Sequence, residues 1–434
     1  MKKLKYLVTA VPLLITFLIW VEVQIRIESA IDLRSVLYMG GQLTGLFAVV
    51  LLAQSYVLAT RIKLVENLFG GLDKSYKVHA MISKTGFALI LLHPMLLAFS
   101  ISSSFEGFLL FLAPKFNLSP AAFGFASLAL YAILIALSIY RFLPYHVWKF
   151  THQFIGVPFI LAGYHAFNAG STFALSPYMK GWMSFIVLAG LIAYLYKVVL
   201  YRWVGPRHIF TVVELINLGD KVEVYLKPIK QNFKFNAGEF VFLGVKNNKN
   251  IPKEQHPFTI ASDPNKGNIK IAYKALGDYT KTLKSYLKVG DMIDIYGPYG
   301  HFSSQKFKNY KDQIWIAGGI GVTPFLSMLE YEVSIKGNKN IHFFYCSNDE
   351  KDAVYNDHIK QLSQSTKNIF FESYLADEKG KITAEYIVNK IKDDIKNKLI
   401  LLCGPMPMMI ALKKQFMQVG IKEDRIVFEE FNLV

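Results

Sequence analysis

Hydrophobicity divides the chain near residue 200. Up to about residue 201 apolar positions run on for the length of whole helices, with few polar interruptions. From residue 205 onward apolar and polar positions alternate over short stretches separated by glycine, proline and asparagine. Six apolar runs, 7–23, 36–60, 76–101, 121–140, 146–167 and 182–201, are long enough to cross about 30 Å of hydrocarbon, with or without tilt. A bundle of six transmembrane helices is expected. Lys2, Lys3 and Lys5 precede the first run, as in a signal peptide, but no small-residue cleavage site follows Trp20-Val21-Glu22. A retained helix is therefore expected.

The polar half changes texture once. Alternating stretches at 210–215, 221–226, 239–245, 269–273 and 292–296 read as strands, with turns such as Leu218-Gly219-Asp220 and Asp263-Pro264-Asn265 between them. That pattern predicts a small antiparallel barrel. From Gln313 strands alternate with helices: 314–317, a glycine turn, a helix, then later parallel strands at 341–346 and 399–403. This is a doubly wound α/β pattern. The expected division is a membrane domain at 1–204, a barrel domain at 205–310 and an α/β domain at 311–434.

Charge orients the bundle. Basic residues concentrate at the amino terminus and in 61–84, 141–149 and 202–207, whereas the alternate loops carry Glu22, Glu28, Asp32 and Glu106. By the positive-inside rule, the amino terminus and the polar half are cytoplasmic in a multi-pass cell-membrane protein. The net charge of +16 reflects this inner collar and a lysine-rich polar half. No interleaving of basic and aromatic residues suggests nucleic acid. Two cysteines, Cys346 and Cys403, exclude a disulfide framework or a cysteine zinc site.

Within the apolar half, four histidines fall into two pairs: His79 and His93 fourteen residues apart, His152 and His165 thirteen apart. Fourteen residues of helix rise about 21 Å and stop about 40° short of four full turns, so the first pair shares a face at two depths. Thirteen residues turn about 1300°, which leaves the second pair about 140° apart on an ideal helix. Pro158, with Gly156 and Gly163 nearby, is the expected source of a correcting distortion. Ionisable residues at such depths are costly and usually functional. In the predicted topology both helices run outward, so His79 matches His152 near the inner face and His93 matches His165 near the outer face. Two stacked haems, each held by one imidazole from either helix, suit this arrangement. His146 reads as an interfacial histidine. Gly86, midway between His79 and His93, is expected to leave room for two macrocycles. Phe87 and Phe159 lie at intermediate depth, where an aromatic ring either shortens an electron path or simply packs in the bundle.

In the polar half, Gly318-Gly319-Ile320-Gly321-Val322-Thr323-Pro324 stands between a strand and a helix, where glycines let backbone N–H groups approach a pyrophosphate. Cys403-Gly404-Pro405 forms a second glycine turn at the carboxyl edge of a later strand. In the barrel, His256-Pro257-Phe258-Thr259-Ile260-Ala261-Ser262 puts an aromatic and two hydroxyls on one short strand, suited to a flat polar heterocycle. Lys274 and the turn Gly277-Asp278-Tyr279-Thr280 offer a cation and a glycine turn for its phosphates.

Together these residues resemble the NADPH oxidase and ferric reductase superfamily, especially its single-chain bacterial members, over nearly the whole chain. The resemblance implies a ferric-reductase transmembrane domain followed by a ferredoxin-reductase-like module of FAD barrel and nucleotide domain. It implies b-type haem ligation by His79, His93, His152 and His165, and an inner loop at 69–79 that packs on the dehydrogenase. It implies FAD binding by His256, Pro257, Phe258 and Thr259, by Gly277, Asp278, Tyr279 and Thr280 near the phosphates, and by the turn Gly297-Pro298-Tyr299-Gly300, beside the Ser262 and Lys274 already read from the residues as candidates. NAD(P)H is implied at Gly318, Gly319, Gly321, Val322, Thr323 and Pro324, and at Gly404 and Pro405, with Cys403 near the nicotinamide. The pattern Glu429-Glu430-Phe431 implies that Phe431 shields the flavin ring. Relatives often carry an arginine after the second nucleotide-fold strand, facing the 2′-phosphate of NADPH. Cys346-Ser347-Asn348-Asp349 has none; Lys351 is the nearest substitute and Asp349 suits a free ribose, so weak discrimination between NADH and NADPH is expected.

The implied activity is a relay from NAD(P)H through FAD and two haems to an external acceptor: dioxygen, with superoxide formed, or ferric chelates. The protein's share is positioning, because the cofactors carry the chemistry. An electron conduit serving one extracytoplasmic redox protein is the nearest alternative. A transporter would not need a flavin module, and a haem sensor would need an effector domain instead of a hydride-donor site. Arg26, Arg34 and Lys115 in the external loops read as exposed loop charge, with attraction of an anionic acceptor as the alternative.

Overall fold

The computed structural model describes residues 2–27, 32–102, 104–113, 117–139, 143–169, 175–230, 233–303 and 305–428. Backbone packing separates the chain into two units, Met1–Trp203 and Val204–Val434.

The first unit is helical. Its elements are α1 (Lys2–Ile27), α2 (Leu33–Leu58), the short α3 (Lys63–Phe69), α4 (Leu72–Ile101), α5 (Phe105–Leu112), α6 (Pro120–Ile139), α7 (Tyr145–Gln153), α8 (Gly156–Asn168) and α9 (Pro177–Leu195). A π turn, Tyr196–Leu200, carries α9 on into Tyr201–Val204. Among the described residues five helices are long and apolar enough to cross a membrane. The sixth predicted run, 146–167, is α7 and α8 instead. α2 lies at the centre, packed against α1, α4 and α9. Its buried face, Leu46, Val49, Val50, Leu52 and Ala53, forms a core with Met179, Met183 and Phe159. Outward positions such as Leu14, Leu18, Ile133, Leu188 and Ile192 are exposed, as hydrocarbon solvent requires. The expected inner loop at 69–79 is much shorter than predicted. Gly70 ends α3 in the left-handed conformation (φ 77°), Gly71 follows at φ 133°, and Leu72 already begins α4.

The second unit opens with an antiparallel sheet of β1 (Arg207–Leu218), β2 (Lys221–Pro228), β3 (Phe240–Val245), β4 (His256–Thr259), β5 (Ile269–Lys274) and β6 (Met292–Tyr299), in the order β4-β3-β6-β1-β2-β5. A bridge between Ile260 and Ile271 joins the two ends of that order. Alternate residues, among them Phe210, Val212, Val224, Val241, Leu243, Ile271, Ile293 and Ile295, point into one core. Between β5 and β6 lies α10 (Asp278–Tyr286). The parallel sheet follows: β7 (Asp312–Gly318), β8 (Asn340–Ser347), β9 (Ile369–Leu375), β10 (Leu399–Cys403) and β11 (Ile426–Phe428), ordered β11-β10-β7-β8-β9. Helices α11 (Thr323–Ser334), α12 (Asn356–Gln364), α13 (Ala384–Ile391) and α14 (Met406–Gln418) alternate with these strands, and separate cores lie on the two faces of the sheet. The order reverses between β7 and β10, so both strands end at the switch point where ligands bind such sheets.

Candidate functional site

The four membrane histidines meet in the predicted pairs. The rings of His79 and His152 have centroids 6.5 Å apart, and those of His93 and His165 6.1 Å apart, at interplanar angles of 73° and 70°. Each Nδ1 is already engaged. His79 Nδ1 lies 2.9 Å from the Ser55 carbonyl and 2.8 Å from the Ser55 hydroxyl. His93 Nδ1 lies 2.7 Å from the Gly41 carbonyl, and His165 Nδ1 2.8 Å from the Pro120 carbonyl. His152 Nδ1 lies 3.1 Å from the Ser138 hydroxyl. A carbonyl accepts, so His79, His93 and His165 carry their proton on Nδ1, which leaves a lone pair on Nε2. No Nε2 of the four makes a hydrogen bond among the described residues. This is how metal-ligating histidines are oriented. A metal about 2 Å from each of two nitrogens, each roughly 1 Å from its ring centre, sets ring centres about 6 Å apart. Both pairs therefore fit bis-histidine ligation of haem iron. Among the described residues no three His, Cys, Asp or Glu side chains gather to hold a bare metal ion, so each pair would serve a group that brings its remaining ligands itself.

Space beside the His93–His165 pair comes from glycine. A Cβ on Gly45 would stand 2.8 Å from His93 Nδ1, and one on Gly124 would stand 2.9 Å from His165 Nδ1. A cavity with ≈ 1290 Å³ of empty space, part of it open, is lined by both rings, by Gly45 and Gly124, and by apolar residues including Leu46, Val49, Ile90 and Phe125. Gly86 does not play the role expected of it. Its missing Cβ faces Leu51 and Leu52 on α2, 3.4 Å away, so it permits close helix packing, not macrocycle approach. Phe159 is fully buried, edge-on to Tyr56 with ring centroids 5.0 Å apart. Phe87 is partly buried against the same core. His146 is exposed at the start of α7, outside both pairs, and Arg26 is ion-paired with Glu22.

The distortion between His152 and His165 is a break between α7 and α8, a few residues before Pro158. Phe154 N–H donates to the Thr151 carbonyl, Ile155 N–H to His152 and Val157 N–H to Phe154, at 3.1, 3.2 and 2.9 Å. These i→i−3 bonds overwind the chain by about 20° per residue, so three of them turn the second histidine roughly 60° toward the face of the first. Pro158 sits in the first turn of α8, where its missing N–H is tolerated. The α-helical acceptor that it cannot use, the Phe154 carbonyl, is taken by Val157.

In the barrel the His256 ring stacks on Tyr279 at 3.9 Å, and its Nε2 lies 2.6 Å from Glu254 Oε2. Burial pushes the Tyr279 hydroxyl up from the ordinary tyrosine range. Pro257, Phe258 and Thr259 follow on β4, the latter two buried. Phe258 packs against Tyr273, whose buried hydroxyl has no partner among the described residues, a donor open to a heterocycle. Ser262 is not on that strand: β4 ends at Thr259, and the Ser262 hydroxyl accepts from Lys270 N–H at 3.0 Å. Lys274 is drawn to carboxylates, 2.9 Å from Asp220 and 3.5 Å from Asp352; its bond to Asp220 holds it above the usual lysine range. Gly277 caps α10, and the Thr280 hydroxyl accepts from Gly277 N–H at 3.1 Å.

At the switch point Gly318 ends β7, Gly319 takes φ 53°, and a tight turn through Gly321 and the buried Val322 leads into α11 at Thr323 and Pro324. The two glycine turns touch backbone to backbone. A Cβ on Gly321 would lie 2.5 Å from the Cys403 carbonyl, and one on Gly404 3.0 Å from Gly318 Cα. Pro405 follows, 2.8 Å from where a Gly318 Cβ would stand, and Cys403 is fully buried at the end of β10. After β8, Asp349 caps its own turn by accepting from Asp352 N–H at 2.8 Å, Asn348 donates to Asp352 at 3.1 Å, and Lys351 is exposed. Phe431, with Glu429 and Glu430, lies outside the described residues, as does Lys115.

Three family models match: a ferric reductase like transmembrane component at 44–163, an FAD-binding domain at 207–317 and an oxidoreductase NAD-binding domain at 315–414. Among curated proteins the chain is similar to the reductase component of propane 2-monooxygenase from Rhodococcus jostii (strain RHA1), 25% identical over 228 residues. That match covers 49% of this chain and 60% of the relative's length. It is also similar to the sulfhydrogenase 2 subunit gamma of Pyrococcus furiosus, 25% identical over 46% of this chain and 72% of that protein. Among solved structures, a flavohemoglobin from Malassezia yamatoensis with bound FAD and heme superposes with a TM-score of 0.52 at 17% identity, over 93% of this chain and 99% of that one, a likeness of fold.

Proposed function

We propose, starting from a chain that belongs by its domain architecture to the NADPH oxidase and ferric reductase superfamily, that this protein carries electrons from cytoplasmic NAD(P)H, through FAD and two b-type haems, to an acceptor outside the cell membrane. The domains would be 1–204 for the haems, 205–310 for FAD and 311–434 for NAD(P)H. When bound, the flavin supplies conversion of a two-electron hydride into single electrons and the haems supply their passage across the bilayer. The chain's own residues position these groups. His79 with His152, and His93 with His165, offer Nε2 atoms, while the carbonyls of Ser55, Gly41 and Pro120 and the Ser138 hydroxyl keep the rings turned. The stacked His256 and Tyr279, with Pro257, Phe258 and Thr259, suit the flavin, and the turn at Gly277 and Thr280 suits its phosphates. Gly318, Gly319, Gly321, Val322, Thr323, Pro324, Gly404 and Pro405 suit the nucleotide, and the resemblance implies Cys403 and Phe431 beside the reacting rings.

The observation that carries this reading is the paired histidines, with every Nδ1 engaged and Nε2 left over. The test is haem content and acceptor choice. Purified protein should hold two low-spin haems per chain; His93→Ala should leave one, and His146→Ala two. Dioxygen and ferric citrate, tried without partner proteins, should each be scored; reduction of either supports an oxidase or ferric-chelate reductase. Failure of both, with FAD and haems reducible by NAD(P)H, points to a conduit for an external redox protein. A stoichiometry of one that survives His93→Ala would refute the ligand assignment.

A further inference from the structure

The inner pair is governed from one dipeptide of α2. Ser55 gives its carbonyl and hydroxyl to His79 Nδ1. Its neighbour Tyr56 reaches across the bundle and donates its hydroxyl to the Ile155 carbonyl at 2.9 Å. From α9, Tyr194 donates to the Gln153 carbonyl at 2.7 Å. Both acceptors belong to the break between α7 and α8, immediately after His152. The Gln153 carbonyl is an orphan, because Val157 N–H, its α-helical donor, turns to Phe154. In a bilayer an orphan carbonyl costs several kcal/mol unless another group satisfies it.

Pro158 removes the donor for the Phe154 carbonyl and its ring crowds that carbonyl, which favours the break. It leaves Val157 N–H able to return to Gln153 and restore an α-turn in a kinked helix. That would undo part of the overwinding and swing His152 away from His79. Tyr194 opposes it by satisfying the Gln153 carbonyl in the broken form, and Tyr56 adds a second bond to the carbonyl of Ile155, the N-cap of α8, and so pins where α8 starts. The packing is built for this. A Cβ on Gly156 would lie 2.2 Å from the Tyr194 ring, so Tyr194 reaches its carbonyl over a glycine. The Tyr56 ring is buried, edge-on to Phe159 and Tyr194 at 5.0 and 5.6 Å.

We propose that Tyr56 and Tyr194 are positioning residues for the inner haem: their hydroxyls hold the α7–α8 break that aims His152 at His79. The proposal rests on the reading of the histidine pairs as haem ligands. Neither tyrosine ligates iron, so the effect must be seen on the haem itself, beyond turnover.

The test uses full-length protein in detergent and the variants Tyr56→Phe and Tyr194→Phe, singly and together. Each removes one oxygen and keeps the ring. Three measurements follow: the EPR spectrum of the oxidised haems, carbon monoxide binding to the reduced protein, and the two-component redox titration. His93→Ala, which removes the outer haem, identifies which component is the inner one. Each single variant should shift the inner component in EPR and in midpoint. The double variant should open one haem of the two to carbon monoxide, with the outer component unmoved and total haem still two. Gly156→Ala displaces the Tyr194 ring while both hydroxyls remain, and should reproduce the Tyr194→Phe shift. Unchanged spectra and titrations in the double variant overturn the proposal. So does an equal shift of both components with lower thermal stability, the mark of general loosening. Wild-type protein lacking two low-spin haems refutes the underlying reading, and is recognised before any variant is compared.

Discussion

One methyl group tests the His93–His165 pair. In Gly124→Ala the new Cβ would lie 2.9 Å from His165 Nδ1, 3.0 Å from its Cγ and 3.1 Å from its Cε1. Unstrained contacts between such atoms fall near 3.5–4.0 Å, so the ring must retreat by about 0.5–1 Å. The bond from Nδ1 to the Pro120 carbonyl is 2.8 Å. Retreat carries it beyond the ~3.2 Å limit of a good N–H···O bond. Loss of an outer hydrogen bond to a metal-bound histidine costs about 10- to 100-fold in metal affinity, or roughly 1.4–2.8 kcal/mol. It also makes the imidazole a weaker donor, so the outer potential should rise. Haem titration of the apoprotein, with pyridine haemochrome content as a check, should show one site weakened by that factor and one unchanged. Gly45→Ala makes the same demand on His93, with a Cβ 2.8 Å from Nδ1. Gly86→Ala is the control: its Cβ meets Leu51 and Leu52 at an ordinary 3.4 Å. Wild-type affinity and potential at both sites in Gly124→Ala and Gly45→Ala, or loss at Gly86→Ala alone, would refute the reasoning.

Three further outcomes are expected. Steady-state flavin reduction should discriminate between NADH and NADPH by less than a hundredfold, about 2.7 kcal/mol, because the resemblance puts Asn348 and Asp349 where relatives often carry an arginine; a larger preference for NADPH contradicts this. Truncation before Phe431 should change nucleotide affinity and hydride-transfer rate but leave haem content alone, and unfolding of the flavin module instead would make Phe431 structural. Burial pushes the Glu330 carboxyl up, yet His358, Lys270 and Lys266 outweigh it and hold Glu330 at about 2. A lowered carboxylate contributes stability above its unfolded pKa of about 4.3 and loses it as pH falls toward 2. Glu330→Gln should therefore destabilise by roughly 2–3 kcal/mol at pH 7 and progressively less below pH 4; thermal release of flavin measures it, and a gap that widens on acidification rejects the assignment.

The class of each domain was legible because burial has a period. Long apolar runs, alternation over five or six residues, and strand–helix alternation each leave their mark. The histidine pairing was legible because 14 residues nearly close four turns. The distortion near Pro158 was legible because proline is a visible signal, whereas its form, i→i−3 turns with tyrosine hydroxyls from α2 and α9 on the carbonyls, was not. Gly45 and Gly124 were missed for the same reason: what a glycine makes room for depends on the neighbour that faces it. Gly86 was chosen by spacing along α4, yet its empty side faces α2. Lys274 looked like a phosphate cation until Asp220 and Asp352, one of them 78 residues away, came beside it. β9 and β11 carry less regular patterns, as edge strands do, and were not predicted.

The helix that holds no histidine sets how far apart the pairs can be. Gly41 and Ser55, whose carbonyls orient His93 and His79, are themselves fourteen residues apart, the same interval as the histidines they serve. α2 and α4 thus work as two rulers laid head to tail. A residue inserted in one would rotate a carbonyl about 100° off its imidazole unless the other lengthened in step. The interval between the two histidine levels is therefore a length that point substitution cannot alter; it changes only by matched insertions in α2, α4 and the α7–α8 segment that carries the partner histidines.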